Sequence, residues 1–298
     1  MKKNLPVIGI LLIFLVGLGI LSYPLISAAI NNFAARNQAE EYTKVTKEMP
    51  SARQQELMES ARKYNDSLTN NIIITDPFDV EAFKKIGKEY EAALNVDGQG
   101  LIGYIDIPKI NVYLPIMHST TEEVLAHAAG HLQNTSLPIG GVSTHSVISA
   151  HSAYPTQTFF DYLTELKEGD EFFIHVLNRT LKYEVDQITV VLPDNTDNLR
   201  VIRGEDHVTL ITCTPYSVNT HRLLVRGKRV EYDDTKYIVT GAQPVKASGG
   251  YLFFLGYRVP FWAAALIIVA IVGVTAFFVI FFVHRGKKKD ARHSKEDG

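Results

Sequence analysis

Val208-Thr-Leu-Ile-Thr-Cys213-Thr-Pro-Tyr-Ser-Val-Asn-Thr-His-Arg222-Leu-Leu-Val-Arg226 is the stretch on which the reading of the whole chain turns, because it carries the only cysteine at the end of an apolar run. Val208 to Thr212 is β-branched and apolar, which predicts a buried strand, and Thr214-Pro215 ends it because proline cannot continue a ladder. Cys213 is therefore expected where a strand meets a loop. Arg222 to Arg226 alternates charge and hydrocarbon at period two, so Arg222, Leu224 and Arg226 fall on one face, with Leu223 and Val225 on the other. Thiol and guanidinium should come from neighbouring strands.

Outward from this stretch, composition sets limits. The chain has 298 residues and a formal net charge of -2, with no acidic or basic bias that would suggest nucleic-acid binding. Its 46% hydrophobic content is high for a soluble protein, and the excess is concentrated at the two ends. Leu5 to Ile30 is almost uncharged, follows Lys2-Lys3, and at about 1.5 Å per residue is long enough to cross a hydrocarbon core of roughly 30 Å. Val259 to Val283 is a second such stretch, followed by the basic run His284 to Lys289. The positive-inside rule then predicts residues 1–4 and 284–298 in the cytoplasm, transmembrane helices at 5–30 and 259–283, and the middle of the chain outside the cell membrane. Ser27-Ala-Ala29 offers the alternative of a cleaved signal peptide, although the apolar stretch exceeds the usual h-region of about 7 to 15 residues.

Between the two ends, residues 31–98 are rich in helix formers at first and predict exposed amphipathic helices holding the domain off the membrane. Asp76-Pro77-Phe78 interrupts them as a turn followed at once by a large aromatic, ahead of a helix-like segment from Val80 to Leu94. From residue 99 to 232 the pattern becomes short strands with turn signals. These are Leu101–Ile107, Ile110–Pro115, His145–Ala150, Asp170–Val176, Thr180–Ile188, Val208–Thr212 and Arg222–Val230, with helical crossovers expected at Glu122–Ala129 and Thr158–Leu166. About seven or eight such strands argue for a closed, mainly β barrel. Residues 233–258 read as a polar tether. Asn65, Asn134 and Asn178 each begin a triplet that matches a glycosylation acceptor, a signal frequent by chance.

A lone cysteine outside the cytoplasm has no internal disulfide partner, so it is either a small buried apolar residue or a reactive thiol. A nucleophilic thiol needs a proton partner and oxyanion donors. Of ten histidines, His151 follows the apolar strand Ser146 to Ala150 and precedes a turn, a strand-end position like that of Cys213. His145 shares its face but lies about 20 Å away along a straight strand, and His221 should point to the other face. His118, His127, His131, His175 and His207 read as solvated or satisfied core residues. No metal site or cofactor is expected, since HExxH and CxxC are absent.

Thr209-Leu-Ile-Thr-Cys213 resembles the TLxTC signature of sortases, the membrane-bound cysteine transpeptidases of Gram-positive bacteria. The string from Cys213 to Arg226 is similar to the class C branch. The resemblance reaches back through Gly103 to Lys109, Gly130 to Pro138 and His145 to His151. It implies an eight-stranded barrel, His151 as general acid/base, Cys213 as the acylated nucleophile and Arg222 as the group steadying the tetrahedral intermediate. It implies an LPxTG-like sorting signal cut between Thr and Gly, and pilin subunits joined through a lysine isopeptide bond. Anchoring of surface proteins to a cell-wall precursor is the other sortase outcome, and a non-catalytic, membrane-tethered binding domain is the reading outside that family. Asp76, Pro77 and Phe78 resemble the class C lid, with the aspartate on the arginine and the ring over the cysteine. One departure stands out: Ser152-Ala153-Tyr154 follows His151 where class C members commonly have Arg-Gly.

Overall fold

The computed structural model describes residues 5–68, 75–79, 87–154, 157–232, 251–254 and 257–260, with isolated positions between 263 and 273. The chain divides into two compact units, one of Ile26–Lys246 and one of Met1–Leu25 with Ala247–Gly298.

The larger unit is built on a closed barrel whose strands are β1 (Leu101–Ile107), β2 (Val112–His118), β3 (Ala129–His131), β4 (Thr144–Ser149), β5 (Glu171–Val176), β6 (Arg179–Val191), β7 (Asp206–Thr214) and β8 (His221–Val230). They close in the order β1-β2-β3-β4-β7-β8-β6-β5, with β5 returning to β1. The expected barrel is present, and the eighth strand is β3. Three residues are too few for an alternation signal, so the sequence suggested a helix there; only Glu122–Leu125 is helical (α4). The crossover expected at Thr158–Leu166 is likewise reduced to a single 3-10 turn, Leu163–Glu165.

Strand direction positions the site. β4 and β7 run parallel, Ser149 beside Ile211, so both end at the same rim. β8 starts at that rim and runs back antiparallel to β7. Val208, Leu210 and Val225 are wholly buried on one side of these strands. On that side a Cβ at Gly227 would lie 2.4 Å from the Phe172 ring, so glycine is what lets the ring fit. On the other side Leu132, Val147, Leu199, Ile211 and Leu224 form an apolar cluster. By period two, His151, Cys213 and Arg222 belong to this second side, one step nearer the rim than Ser149, Ile211 and Leu224.

The amino-terminal segment differs from expectation in two ways. A single helix, α1 (Leu5–Glu48), runs through the predicted span and beyond it, because Ala, Glu, Gln and Lys continue the helix until Pro50 stops it. The next helix, α2 (Ser51–Ser67), expected to be exposed, is docked on the barrel. Asn65 Nδ2 donates to Leu137 O at 3.2 Å and Asn65 Oδ1 accepts from Leu137 N at 2.8 Å, which commits the side chain offered by that glycosylation triplet. Tyr42 likewise ties α1 to the barrel, accepting from Leu177 N at 2.7 Å and donating to Ile102 O at 2.8 Å. Of the predicted Val80–Leu94 helix, residues 87–94 are described, and Lys88–Ala92 (α3) is helical.

Among the described residues no helix is long and apolar enough to cross a membrane. The two expected spans at 5–30 and 259–283 are therefore unsupported by the structure; most of the second lies outside the described residues. The end of the predicted tether is also corrected, since Tyr251–Phe254 (β9) and Tyr257–Pro260 (β10) pair as a two-stranded antiparallel sheet. Aromatic and β-branched residues there outweigh the polar character of the segment before them.

Candidate active site

Cys213 and Arg222 are direct partners in the β7–β8 ladder. Antiparallel partners project from the same face, so thiol and guanidinium stand side by side. His151 lies just past β4, and the parallel register extended beyond Ser149 and Ile211 brings it level with Cys213. Three further bonds hold the two strand ends together. Ala150 N donates to Ile211 O at 3.1 Å, Thr212 Oγ1 donates to Ala150 O at 2.8 Å, and Ser152 Oγ donates to the Cys213 carbonyl at 2.7 Å.

The turn at Asp76-Pro77-Phe78 covers this rim. Asp79 N donates to Asp76 O, closing the turn at 3.0 Å. Asp76 accepts two parallel bonds from Arg222, from Nε at 2.8 Å and from Nη2 at 2.7 Å. The side chains of this pair are only 11% (Arg222) and 15% (Asp76) exposed, so water screens it little. Phe78 packs on the apolar cluster beneath the site. Its ring centroid is 5.7 Å from that of His151, and the Arg222 Cζ lies 5.0 Å above it. Arg222 Nη1 donates to the Asn219 and His221 carbonyls, both at 3.1 Å. With the turn seated, every nitrogen of the guanidinium already has an acceptor.

The electrostatics follow from that cover. Burial pushes the Cys213 thiol above its ordinary pKa; Arg222 pulls it down and Asp76 pushes it up again. Burial also holds His151 below its ordinary value, with Glu122 of α4 opposing. In the covered state burial outweighs the Arg222 cation, which is already paired with Asp76, so thiol and imidazole are both pushed toward their neutral forms.

The remaining histidines fall elsewhere. His145 is buried, its Nδ1 2.9 Å from Arg200 O and its Nε2 2.7 Å from Thr209 Oγ1. His131 is buried too, bonded to Ser136 O and the Tyr90 hydroxyl. His118, His175 and His207 are buried and His127 is exposed. His221 pairs with Thr214 across the ladder, and its Nδ1 meets Thr220 Oγ1. Among the described residues no cluster of His, Cys, Asp and Glu is disposed to hold a metal. Two contacts escaped the sequence reading: Ser152 on the Cys213 carbonyl, and Tyr154 stacked on His151 with centroids 5.2 Å apart and planes 11° from parallel. A period-two reading carries no information about a loop that folds back on the residue before it.

Residues 105–230 match the model of the sortase domain. The structure resembles that of sortase C-1 from Streptococcus pneumoniae with a TM-score of 0.62 and 46% identity, covering 66% of this chain and 100% of that one. The chain belongs to the sortase family. Its class C character is supported again by a structure described as a pilus-related sortase C of Group B Streptococcus, matched at TM-score 0.57 and 45% identity over 65% of this chain and 97% of that one. Sortase A of Bacillus anthracis is 27% identical over 139 residues, 47% of this chain and 64% of the relative, so the chain spans just under two thirds of that curated sortase.

Proposed function

We propose that this sortase is a cysteine transpeptidase that cuts an LPxTG-like sorting signal between Thr and Gly and joins the released carboxyl to a lysine of the next pilin subunit. The observation that carries the reading is the cross-strand pairing of Cys213 with Arg222. An isolated thiol would be inert packing; a thiol beside a fixed fork of donors is equipped for acyl transfer.

In this mechanism the lid turn first leaves, freeing the Arg222 Nε and Nη2 hydrogens. Cys213 transfers its proton to His151, and the thiolate attacks the Thr carbonyl carbon. The oxygen becomes an oxyanion facing the guanidinium. His151 returns the proton to the departing Gly nitrogen as the C–N bond breaks, leaving a thioester. A neutral lysine amine then attacks the same carbon and gives its proton to His151, and the C–S bond breaks to leave an isopeptide bond and the free thiolate. A pilin acceptor is in keeping with the Group B Streptococcus relative, which is described as pilus-related.

The membrane reading belongs here as well. Apolar residues 5–30 and 259–283, flanked by Lys2-Lys3 and the basic tail 284–298, support a two-pass protein with the catalytic domain at 99–232 outside. Protease accessibility on intact cells tests it: cleavage of the domain from outside is expected, and full protection would contradict the topology.

Mixing the full chain in detergent with candidate pilins should give a ladder of covalent multimers that Cys213→Ala abolishes. Transfer only to a wall-peptide amine would assign the anchoring reaction, and no transfer to either would leave a binding role.

A further inference from the structure

The loop after His151 is more constrained than a surface loop needs to be. Ser152 Oγ donates to the Cys213 carbonyl at 2.7 Å. Ala153 has a left-handed backbone, φ 63°, and its N–H donates to Asp161 Oδ1 at 2.8 Å. The other Asp161 oxygen accepts from Phe159 N at 2.9 Å, and Phe160 N donates to the His151 carbonyl, also at 2.9 Å. An alanine in that conformation is strained. What the pinned chain achieves is visible at the next residue: the Tyr154 ring lies flat on the His151 imidazole, 5.2 Å away and 11° from parallel. Phe159 supports the stack edge-on, 5.6 Å from Tyr154 and 6.4 Å from His151.

We infer that Tyr154 is a positioning residue for the reaction, an aromatic plate that fixes the His151 ring and favours its protonated form. The inference rests on the role proposed above for His151. Phe78 also touches the imidazole, but Phe78 belongs to the turn that must leave before substrate enters. Tyr154 belongs to a loop tied to the nucleophile's own strand, so it stays. Once the lid is gone the imidazole has to hold one orientation, first toward the thiol and then toward a leaving or attacking nitrogen. A parallel ring restricts its rotation, and the negative face of a π system stabilises an imidazolium. That is the form which must protonate the Gly amine. The contribution opposes the burial that depresses His151.

Glu122 of α4 acts directly on His151; the other ionisable groups near this rim are Cys213 and Arg222 of β7 and β8, Asp76 of the lid turn and Asp161, which caps Ala153. A substitution at Tyr154 removes none of these charges. Tyr154 is half-exposed, so replacing it should leave the barrel intact.

The test uses full-length protein in detergent with 13C-labelled histidine, the His151 signal being assigned by its loss in His151→Gln. Tyr154→Ala and Tyr154→Leu are expected to lower the His151 pKa by about half a unit. They should lower kcat for peptide transfer about tenfold with KM little changed, and shift the acidic limb of the rate profile down with the pKa. Tyr154→Phe, which keeps the ring, should match the unaltered protein in both. Tyr154→Leu with an unaltered pKa and kcat would overturn the inference, since leucine retains packing without the π face. The pKa is read without substrate, so an inactive wild-type chain would sink the proposed function and leave the assignment of Tyr154 to the titration alone.

Discussion

Asp76 and Arg222 meet end to end, carboxylate to guanidinium, through parallel bonds of 2.8 and 2.7 Å at a position where both side chains are largely out of water. The bond pair occupies the two guanidinium nitrogens that the mechanism needs for the oxyanion. In the proposed mechanism this one contact both covers the site and engages the donors of Arg222.

Removing the carboxylate should open the site. Asp76→Ala takes away one of the groups that push the Cys213 thiol up and releases the turn that buries it. Alkylation of Cys213 by a small thiol reagent at pH 7 is expected to accelerate on the order of tenfold, since the thiolate fraction rises as the thiol pKa falls and the open turn admits the reagent. Its pH profile should move to lower pH. An unchanged labelling rate would mean that the turn does not govern access.

Phe78 makes a different contribution, through its packing on the apolar cluster, the Arg222 charge above it and the His151 ring beside it. Phe78→Ala should speed labelling by destabilising the closed turn, while the melting temperature of the barrel changes little because the ring is only partly buried. Scanning calorimetry and alkylation on the same sample separate the two effects. A large loss of stability would instead assign Phe78 to the core.

Arg222→Lys keeps the charge and discards the fork. If two directed donors act on the oxyanion, turnover should fall by about 100-fold or more, because a flexible ammonium reproduces neither the spacing nor the direction. Near-unaltered turnover would show that a point charge is enough.

Acid should weaken the fold. His131 is held down to about 3 and His145 to about 4, chiefly by burial. Each offers one ring nitrogen to a carbonyl and the other to a hydroxyl, an arrangement suited to a neutral ring. Below the unfolded value of about 6.5 the unfolded chain binds protons that the folded chain refuses. Stability is thus fully present above that pH and falls as pH drops toward the folded values, by on the order of 2 kcal/mol per histidine at pH 5. Urea denaturation at pH 7 and pH 5 measures it, and equal midpoints would contradict the buried neutral assignment.

The sequence revealed what periodicity can carry. The run from Val208 to Arg226 placed Cys213 and Arg222 on adjoining strands, and the ladder pairs them directly. His151 was legible as a strand-end residue, though its position beside Cys213 depends on β4 and β7 being parallel, a topological fact that neither strand encodes alone. β3 is too short to show alternation. The docking of α2 was hidden because it rests on two buried apolar side chains, Leu57 and Ala61, and on the Asn65 bridge, not on an extended apolar stripe. The stack of Tyr154 on His151 was hidden for another reason: it depends on the left-handed Ala153, a conformation no alanine advertises.

The central claim is that Cys213 becomes acylated. The most direct measurement is the intact mass of the full chain after incubation with an LPxTG-like peptide and no amine acceptor, for the unaltered protein and for Asp76→Ala. The account predicts a covalent adduct equal to the peptide minus its leaving group, mapped to Cys213, more abundant in Asp76→Ala and absent in Cys213→Ala. No adduct on Cys213 in either the unaltered chain or Asp76→Ala, with the thiol shown to be reactive toward an alkylating reagent, would contradict it.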